Sequence, residues 1–389
     1  MTSKGELMKY RKLGRTDFQV SEIGLGGEFL EGKPEKQVHE VMDAAMAAGI
    51  NLLDCFMSEP NIRSNLGSAL KGRRDQMYIQ GHFRSIWQNN QYGRTMDVNL
   101  VRDHFEDLMR RMQTDYIDIG MIHMIDNPVE YEELFNSPVM KYVQDLKERG
   151  VIRSLGVSCH NPVTALKAVK TGLVDVLLFS INPAYDVLHE DAARPRKLDN
   201  TFFNDMEKLD GINHVREDLY KYCATHDVGM TVMKSLAAGA LLRDETSPFG
   251  KALTVQQCMH YALTRPGVSS VLIGMETVEQ VADCLRYEEM TEKELDYSFI
   301  FSETPKFDMN GRCMYCNHCL PCPQSINIAQ VSKYLDMALL NGATPTLRGH
   351  YDALEHCASE CIGCGICETQ CPFSVPIVER MQKAAELFE

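Results

Sequence analysis

The sequence has little positive charge for its length and lacks the segments that direct a chain to a membrane. Its 389 residues carry 40 Lys and Arg against 54 Asp and Glu, a formal net charge of −14. Because nucleic acids and anionic membranes both attract a basic face, this balance argues against either partner. The first residues lack the apolar stretch of a signal peptide, and no uncharged run of about 18 residues follows. These absences predict a soluble, cytoplasmic protein.

Cysteine is present in quantity, but its distribution is uneven. Of the 14 cysteines, five are scattered over the first 290 residues and nine lie between Cys313 and Cys371. A secreted disulfide framework spreads its cysteines through a small chain. Cysteines crowded into the tail of a large chain favour metal binding instead.

Up to about residue 290, short apolar runs alternate with stretches whose apolar residues recur at helical spacing. A hairpin from Tyr10 to Ser21 is predicted first, and eight strands follow it. The predicted strands are Glu22–Gly27, Ile50–Cys55, Met77–His82, Ile117–His123, Ile152–Cys159, Val176–Asn182, Gly229–Ser235 and Ser269–Met275. Eight strand–helix units predict an α/β fold of the closed (β/α)8, or TIM barrel, type. An open doubly wound sheet is the alternative, but it requires a GxGxxG turn after the first strand, which this sequence does not form.

One connection, from Pro183 to Asn213, is much longer than the others. A long loop at the carboxyl end of a barrel strand usually shapes the pocket, so we expect this segment to do so. The alternative is a surface insertion without a role in the pocket.

Two cysteine runs in the tail have the spacing of iron–sulfur ligands. The second run has the pattern C-x2-C-x2-C-x3-C-P, known from bacterial [4Fe–4S] sites, and consists of Cys361, Cys364, Cys367 and Cys371. The first run has a shorter last spacer and consists of Cys313, Cys316, Cys319 and Cys322. A predicted helix, Ile326–Gly342, separates the two runs, and Cys357 is left as a structural cysteine.

Two such runs predict two [4Fe–4S] clusters. In two-cluster proteins the fourth cysteine of each run ligates the cluster of the other run. One cluster is then held by Cys313, Cys316, Cys319 and Cys371, and the other by Cys361, Cys364, Cys367 and Cys322. A pair of zinc sites is the alternative, although zinc ribbons set their CxxC pairs farther apart. We therefore predict a barrel over residues 1–290 and a small, mainly α-helical, ferredoxin-like iron–sulfur domain over 291–389.

Between about residues 10 and 290, a series of segments resembles, in order, the sequence blocks of the aldo/keto reductases. The segments are KLGRTDFQVSEIGLGG, INLLDC, SNLGSALKGRRDQMYI, DYIDIGMIH, RSLGVS, GMTVMKSLAAGALL and SSVLIGMETVEQV. The tail is similar to the iron–sulfur extension carried by one branch of that superfamily. The resemblance implies a (β/α)8 barrel that reduces carbonyls with a nicotinamide coenzyme.

The resemblance also implies a catalytic tetrad of Asp, Tyr, Lys and His, of which two members are replaced here. The Asp matches Asp54 and the His matches His123. The Lys falls on His82, and the Tyr falls on or beside Glu59, because DCFMSEP contains no tyrosine. Tyr92, in the long loop after the third strand, is an alternative proton donor. The catalytic candidates are therefore Asp54, Glu59, His82 and His123.

The positions implied for the coenzyme also depart from the family. Where the family has Ser-Asn this chain has Ser158-Cys159, and the aromatic residue that stacks on nicotinamide falls on Lys234. The candidate coenzyme residues are Ser158, Asn161, Lys234, Ser235, Gly274 and Thr277. The candidate pocket residues are Arg84, Trp87, Tyr92 and His160.

The chain carries cysteines suited to redox clusters and lacks several residues with which the family binds its coenzyme. Together these two features predict an iron–sulfur oxidoreductase. Electrons would enter the tail from a ferredoxin-like or other redox donor and reach a small polar organic substrate at the barrel mouth. The alternative is an NAD(P)H-dependent carbonyl reductase whose tail is structural or regulatory. A second alternative is a non-catalytic electron carrier or binding subunit.

Overall fold

Eight parallel strands close into a barrel in the computed structural model of the chain. The structure describes residues 8–186, 214–247, 249–291, 293–297, 299–300, 311, 313, 319–341, 343, 345–371 and 374–389. Its strands are β1 (Tyr10–Lys12), β2 (Gln19–Ser21), β3 (Ile23–Gly26), β4 (Leu52–Cys55), β5 (Tyr78–Phe83), β6 (Ser85–Gln88), β7 (Gln91–Arg94), β8 (Ile117–Ile122), β9 (Ile152–Cys159), β10 (Val176–Ser180), β11 (Gly229–Met233) and β12 (Val268–Gly274).

The barrel runs β3-β4-β5-β8-β9-β10-β11-β12, and β12 closes it by pairing with β3. The predicted closed barrel is confirmed, and the open-sheet alternative is wrong. Each predicted barrel strand is present to within two residues at either end, because each is an apolar run buried on both faces. The N-terminal hairpin is confirmed as the antiparallel pair of β1 and β2.

Helices separate the strands and form the outer layer. In the first part of the chain they are Glu35–Ala47, Pro60–Ala69, Val98–Arg111, Pro128–Phe135, Pro138–Glu148, Pro162–Val169, Pro183–Asp186, His214–Thr225, Val255–Leu263 and Val278–Leu285. Glycines follow several of them, and Gly49 and Gly150 have φ of 89° and 74°. This left-handed conformation at the end of a helix favours glycine, as the sequence predicts. Within the described ranges, no helix combines the length and the apolar character that crossing a membrane requires.

The connection after β5 is a β-hairpin, so the expectation of a long loop there is wrong. Strands β6 and β7 pair antiparallel, with Trp87 opposite Tyr92. Asn89 and Asn90 form the turn with φ of 53° and 59°. Two positive φ values are those of a type I′ turn, which matches the twist of a two-residue hairpin and which asparagine tolerates. The hairpin extends the carboxyl end of β5 over the barrel mouth.

The long connection after β10 begins with a buried polar anchor. Helix Pro183–Asp186 ends at Asp186, whose carboxylate accepts hydrogen bonds from Arg216 Nε at 2.7 Å and from Tyr220 Oη at 2.5 Å. Tyr261 Oη donates to its other oxygen at 2.7 Å. Asp186 thereby ties the start of the connection to two outer helices. Residues 187–213 lie outside the described residues, so the expected role of this segment in the pocket stays a prediction.

The tail packs on the carboxyl end of the barrel. Its helices are Ile328–Asn341, Pro345–Asp352, Ile366–Gln370 and Ile377–Phe388, and the first of them confirms the predicted helix between the cysteine runs. Buried tail residues such as Val331 and Met381 belong to one apolar cluster with Ala184, which follows β10, and with Ala237 and Leu241, which follow β11. We call this the shared apolar cluster. Since its barrel members follow the carboxyl ends of strands, the tail lies at the end where TIM barrels carry their active sites.

Candidate active site

A chain of hydrogen bonds joins four polar side chains at the carboxyl end of the barrel. Asp54 on β4 accepts a hydrogen bond at Oδ1 from His82 Nε2 on β5, at 2.9 Å. His82 Nδ1 lies 3.1 Å from Nδ1 of His123, the residue after β8. His123 Nε2 lies 2.7 Å from Tyr92 Oη on β7. The structure therefore brings together three of the four catalytic candidates and the alternative donor Tyr92.

The two ends of this chain of hydrogen bonds fix the proton positions along it. An ionised carboxylate can only accept, so His82 carries its proton on Nε2 and, when neutral, accepts at Nδ1. His123 then donates from Nδ1, and its Nε2 accepts the proton of the Tyr92 hydroxyl. This arrangement is assigned from the hydrogen bonds, since a histidine tautomer follows from its partners. A proton can pass along the line from Tyr92 to Asp54 in either direction.

Neighbouring side chains orient the chain of hydrogen bonds. Gln80 Nε2 donates to Asp54 Oδ1 at 2.7 Å, and Thr231 Oγ1 on β11 donates to Gln80 Oε1 at 2.9 Å. The ring of Phe56 stacks on His123, with centroids 5.3 Å apart and planes 12° apart. Sequence reasoning missed Gln80, Thr231 and Phe56. The alternation of side chains along buried strands indicates that Gln80 and Thr231 face the barrel interior, but nothing in the sequence shows which residues they contact.

Burial raises the pKa of the Tyr92 phenol above its ordinary value, while Arg94 and Arg84 oppose that change. Desolvation disfavours the charged form of an acid, so the phenol stays protonated at neutral pH. A proton donor must hold its proton until the reacting oxygen takes it. Tyr92 meets this condition.

Two further candidates have structural partners instead. Glu59 caps helix Pro60–Ala69, and its carboxylate accepts from the backbone N–H groups of Asn61 at 2.9 Å and Ile62 at 2.7 Å. The buried Arg84 guanidinium donates to the carbonyls of Thr95 and Met124 and pairs with the Glu130 carboxylate. The structure therefore gives Glu59 a capping role and Arg84 an anchoring role at the base of the hairpin.

The remaining pocket candidates lie at the same end of the barrel. Trp87 is half-buried on β6, across from Tyr92. His160 Nδ1 lies 3.0 Å from Asp126 Oδ2, and its backbone N–H donates to the other oxygen of that carboxylate at 2.6 Å. Asp126 thus fixes the His160 ring in a second carboxylate–imidazole pair.

The coenzyme candidates after β9 are held by their own surroundings. Ser158 is buried, and its carbonyl accepts from the N–H of Ile125 at 3.1 Å. Asn161 caps helix Pro162–Val169 through its amide oxygen and donates from Nδ2 to the Asp126 carbonyl at 2.9 Å. The amide expected to meet nicotinamide therefore already has partners on both its oxygen and its nitrogen.

The coenzyme candidates after β11 and β12 are partly covered. Lys234 Nζ lies 3.7 Å from Glu28 Oε2, and Ser235 beside it is buried. Gly274 lies beneath the ring of Phe29, since a Cβ at that position would come within 2.0 Å of Phe29 Cδ2. Thr277 caps helix Val278–Leu285.

A cavity in the tail is lined by cysteines from both runs. Its cysteines are Cys319, Cys322, Cys361, Cys364 and Cys367, and Pro321 also lines it. The pKa of Cys367 is raised to about 11, mainly by burial and then by Glu368, and the thiols of Cys361 and Cys322 contribute. Cys322 of the first run therefore lies within electrostatic range of the second run.

Other cysteines of the predicted clusters lie around this cavity or outside the described residues. Cys313 and Cys371 pack at the edge of the shared apolar cluster, and Cys316 lies outside the described residues. In the part of the chain that the structure describes, no group of three or more His, Cys, Asp or Glu side chains is arranged as a metal site. The two [4Fe–4S] clusters therefore stay a prediction.

The chain matches curated relatives over about half of its length. Aldo-keto reductase YhdN of Bacillus subtilis is 31% identical over 205 residues, which are 50% of this chain and 59% of the relative. The uncharacterized oxidoreductase YqkF of the same organism is 29% identical over 179 residues, 44% of this chain and 56% of the relative. The chain thus spans less than two thirds of the length of these curated relatives.

Solved structures and a family model agree with the barrel. The holo form of aldo-keto reductase AKR11C1 from Bacillus halodurans superposes with a TM-score of 0.58 and 22% identity, over 77% of this chain and 97% of that one. At this identity the likeness supports the fold. The model of the "Aldo/keto reductase family" matches residues 22–258, which is more than half of the sequence and includes Asp54, His82, Tyr92 and His123. The chain therefore belongs to the aldo/keto reductase family of oxidoreductases.

Proposed function

We propose that this protein interconverts a carbonyl and an alcohol on a small polar organic molecule, with Tyr92 as the proton donor. The observation that carries the proposal is the 2.7 Å contact between Tyr92 Oη and His123 Nε2, at the end of the hydrogen-bonded chain from Asp54. Family membership supplies the reaction class. Tyr92, from a hairpin, takes the place of the tyrosine missing after β4.

The chain of hydrogen bonds would work as a proton store. Reduction adds two electrons and two protons to the carbonyl group, and the proton that its oxygen takes comes from Tyr92. His123, carrying an extra proton shared with His82, restores the proton of the phenol. The Asp54 carboxylate stabilises this cationic imidazole pair. In oxidation, each transfer runs in reverse and the pair takes up the proton of the alcohol.

Replacing Tyr92 by phenylalanine tests this proposal. Tyr92→Phe keeps the ring against the shared apolar cluster but removes the donor, so we expect kcat to fall by about 10²–10⁴-fold with little change in the thermal unfolding midpoint. Tyr142→Phe is the matched control, because this phenol belongs to the outer helix Pro138–Glu148. Wild-type kcat in Tyr92→Phe would remove the phenol from the mechanism.

A nicotinamide coenzyme, which supplies a hydride when bound, is the first candidate for the electron source. Family membership supports it. As they are arranged, the residues do not fit a nucleotide. Phe29 covers Gly274, and both the oxygen and the nitrogen of the Asn161 amide already have hydrogen-bond partners. Lys33 and Lys234 are also occupied, since they pair with Glu276 and Glu28.

Iron–sulfur clusters in the tail are the second candidate, favoured by the cysteine-lined cavity. Thiolates are the ligands that such clusters require, and when present a cluster supplies single electrons. Cys322, Cys361, Cys364 and Cys367 would hold the cluster in this cavity. The second cluster would use Cys313, Cys316, Cys319 and Cys371. A ferredoxin-like or other redox protein is the proposed donor.

Two sets of measurements on anaerobically purified protein separate these electron sources. Calorimetric binding of NADPH or NADH, with single-turnover reduction of an aldehyde by that nucleotide, would support the first. A brown protein, with a visible band bleached by dithionite and about four iron atoms per cluster, would support the second. A colourless protein with zinc in stoichiometric amount would refute the iron–sulfur proposal.

A further inference from the structure

The hairpin of β6 and β7 lies between the catalytic chain of hydrogen bonds and the tail. Tyr92 on β7 reaches His123 with its hydroxyl, and its ring packs against the shared apolar cluster, which contains Cys319 and Leu320. The next residue, Gly93, faces the tail, because a Cβ at that position would lie 3.9 Å from Cγ of Pro321. One strand therefore contacts the active site and the tail within two consecutive residues.

The barrel holds the other strand of the hairpin. Ser85 Oγ donates to the Phe56 carbonyl at 2.6 Å, and Ser58 Oγ donates to the Ile86 carbonyl at 2.6 Å. Arg84, just before β6, is fixed by its three acceptors. Among the strands that the structure describes, by contrast, β7 pairs with β6 alone. A two-stranded hairpin is marginally stable by itself and needs packing on a further element.

We propose that the tail segment Cys319–Pro323 is a positioning element of the active site, with Leu320 and Pro321 as positioning residues for Tyr92. Pro321 packs on the face of β7 that Gly93 presents, and the shared apolar cluster packs on the ring of Tyr92, so that the phenol stays on His123. The proposal rests on the proposed role of Tyr92. Since Cys319, Pro321 and Cys322 also line the cysteine cavity, a metal bound there would act on the same segment. The tail then affects the proton donor as well as any electron supply.

The single tryptophan of the sequence reports directly on the hairpin. Trp87 lies opposite Tyr92 in the β6–β7 pair, so its emission and its quenching by acrylamide measure the exposure of the hairpin in the full-length protein. Gly93→Leu places a large side chain against Ile86 and Pro321. Gly93→Ala is the matched control, because its Cβ makes only ordinary contacts, at 3.5 Å from Ile86 and 3.9 Å from Pro321. Gln88→Leu, at an exposed position of β6, controls for added bulk.

We expect Gly93→Leu to shift the Trp87 emission to longer wavelength, to increase its quenching and to lower kcat at least tenfold with KM within threefold. Both control variants should keep the wild-type emission and kcat. Pro321→Ala, which removes Cγ from the tail side, should change emission and kcat in the same direction. It also provides the test if Gly93→Leu does not fold.

Wild-type emission and kcat in both Gly93→Leu and Pro321→Ala would overturn the proposal. A shifted emission with unchanged kcat would overturn it as well, because the hairpin would then move without consequence for the chemistry. A failure of the proposed function would give a different result from these two outcomes, namely full activity of Tyr92→Phe. In that case the Trp87 emission would still show whether the tail supports the hairpin.

Discussion

The carboxylate of Asp54 is the best point at which to test the proposed proton store. Asp54→Asn keeps the shape of the side chain, and its amide oxygen can still accept from His82 and Gln80. The substitution removes only the negative charge, which lies 2.9 Å from His82 Nε2 at the atom that receives the hydrogen bond. In the proposed reduction, that charge stabilises the extra proton on His82 and His123.

The size of the effect follows from this distance. The charge of an imidazolium is spread over its ring, so the separation of the two charges is about 4 Å. At an effective dielectric constant of about 20, opposite unit charges this far apart attract by about 4 kcal/mol. Each 1.36 kcal/mol corresponds to a factor of about ten in rate. Asp54→Asn should therefore slow carbonyl reduction by about 10³-fold if the reaction passes through the cationic pair.

The assay is single-turnover reduction of an aldehyde, with the electron donor identified for the wild type, after correction for the folded fraction. Asp118→Asn is the matched control. Asp118 is also buried and bound to cations, Arg74 and Arg153, but it lies near the amino end of β8, away from the mouth. It should lower stability without changing kcat of the folded enzyme. A reduction rate within threefold of wild type in Asp54→Asn would refute the proposed proton store.

Two further predictions concern stability. Asp186→Ala leaves the buried Arg216 without its carboxylate and should lower the free energy of unfolding by about 3–5 kcal/mol in urea denaturation. Asp218→Ala, at an exposed position of the same helix as Arg216, should change this free energy by less than about 0.5 kcal/mol. Equal effects of the two substitutions would contradict the role of Asp186 as a buried anchor. Burial raises the pKa of Tyr220 and Tyr261, and an unfolded tyrosine ionises near pH 10. The native state therefore keeps protons that the unfolded state loses, so stability should be constant with respect to these groups below about pH 10 and fall above it by about 1.4 kcal/mol per pH unit for each tyrosine. Tyr261→Phe should reduce that slope by about one proton, and an unchanged slope would exclude Tyr261 as a source.

Much of the barrel could be predicted because its signals are local. Apolar runs buried on both faces mark the strands, and glycines such as Gly49 and Gly150 mark the ends of helices. The hairpin of β6 and β7 could not be recognised in this way, because its residues are mostly polar. Its turn nevertheless carries a signal, the pair Asn89-Asn90, since asparagine is one of the few residues that accept the positive φ of a type I′ turn.

The candidate active site was predictable in part. Resemblance to a family gives positions on strands, and so located Asp54, His82 and His123. It could not show that Tyr92 reaches His123, because that contact depends on the tertiary position of a hairpin. Glu59 and Asn161 cap helices, although the resemblance implies functional positions for them, and each directly precedes a proline. An N-cap followed by proline at the first helical position is a pattern that could have revealed their capping roles.

The shared apolar cluster has a consequence for how the chain folds. It joins Ala237, Leu241 and Phe249 of the barrel to Val331 and Met381 of the tail, across the proposed boundary at residue 290. A barrel produced without the tail would present the first three to water as an exposed apolar patch, and such patches promote self-association. The two parts are therefore expected to unfold in one cooperative transition. Grafting this tail onto another barrel would require transferring the surface that receives it.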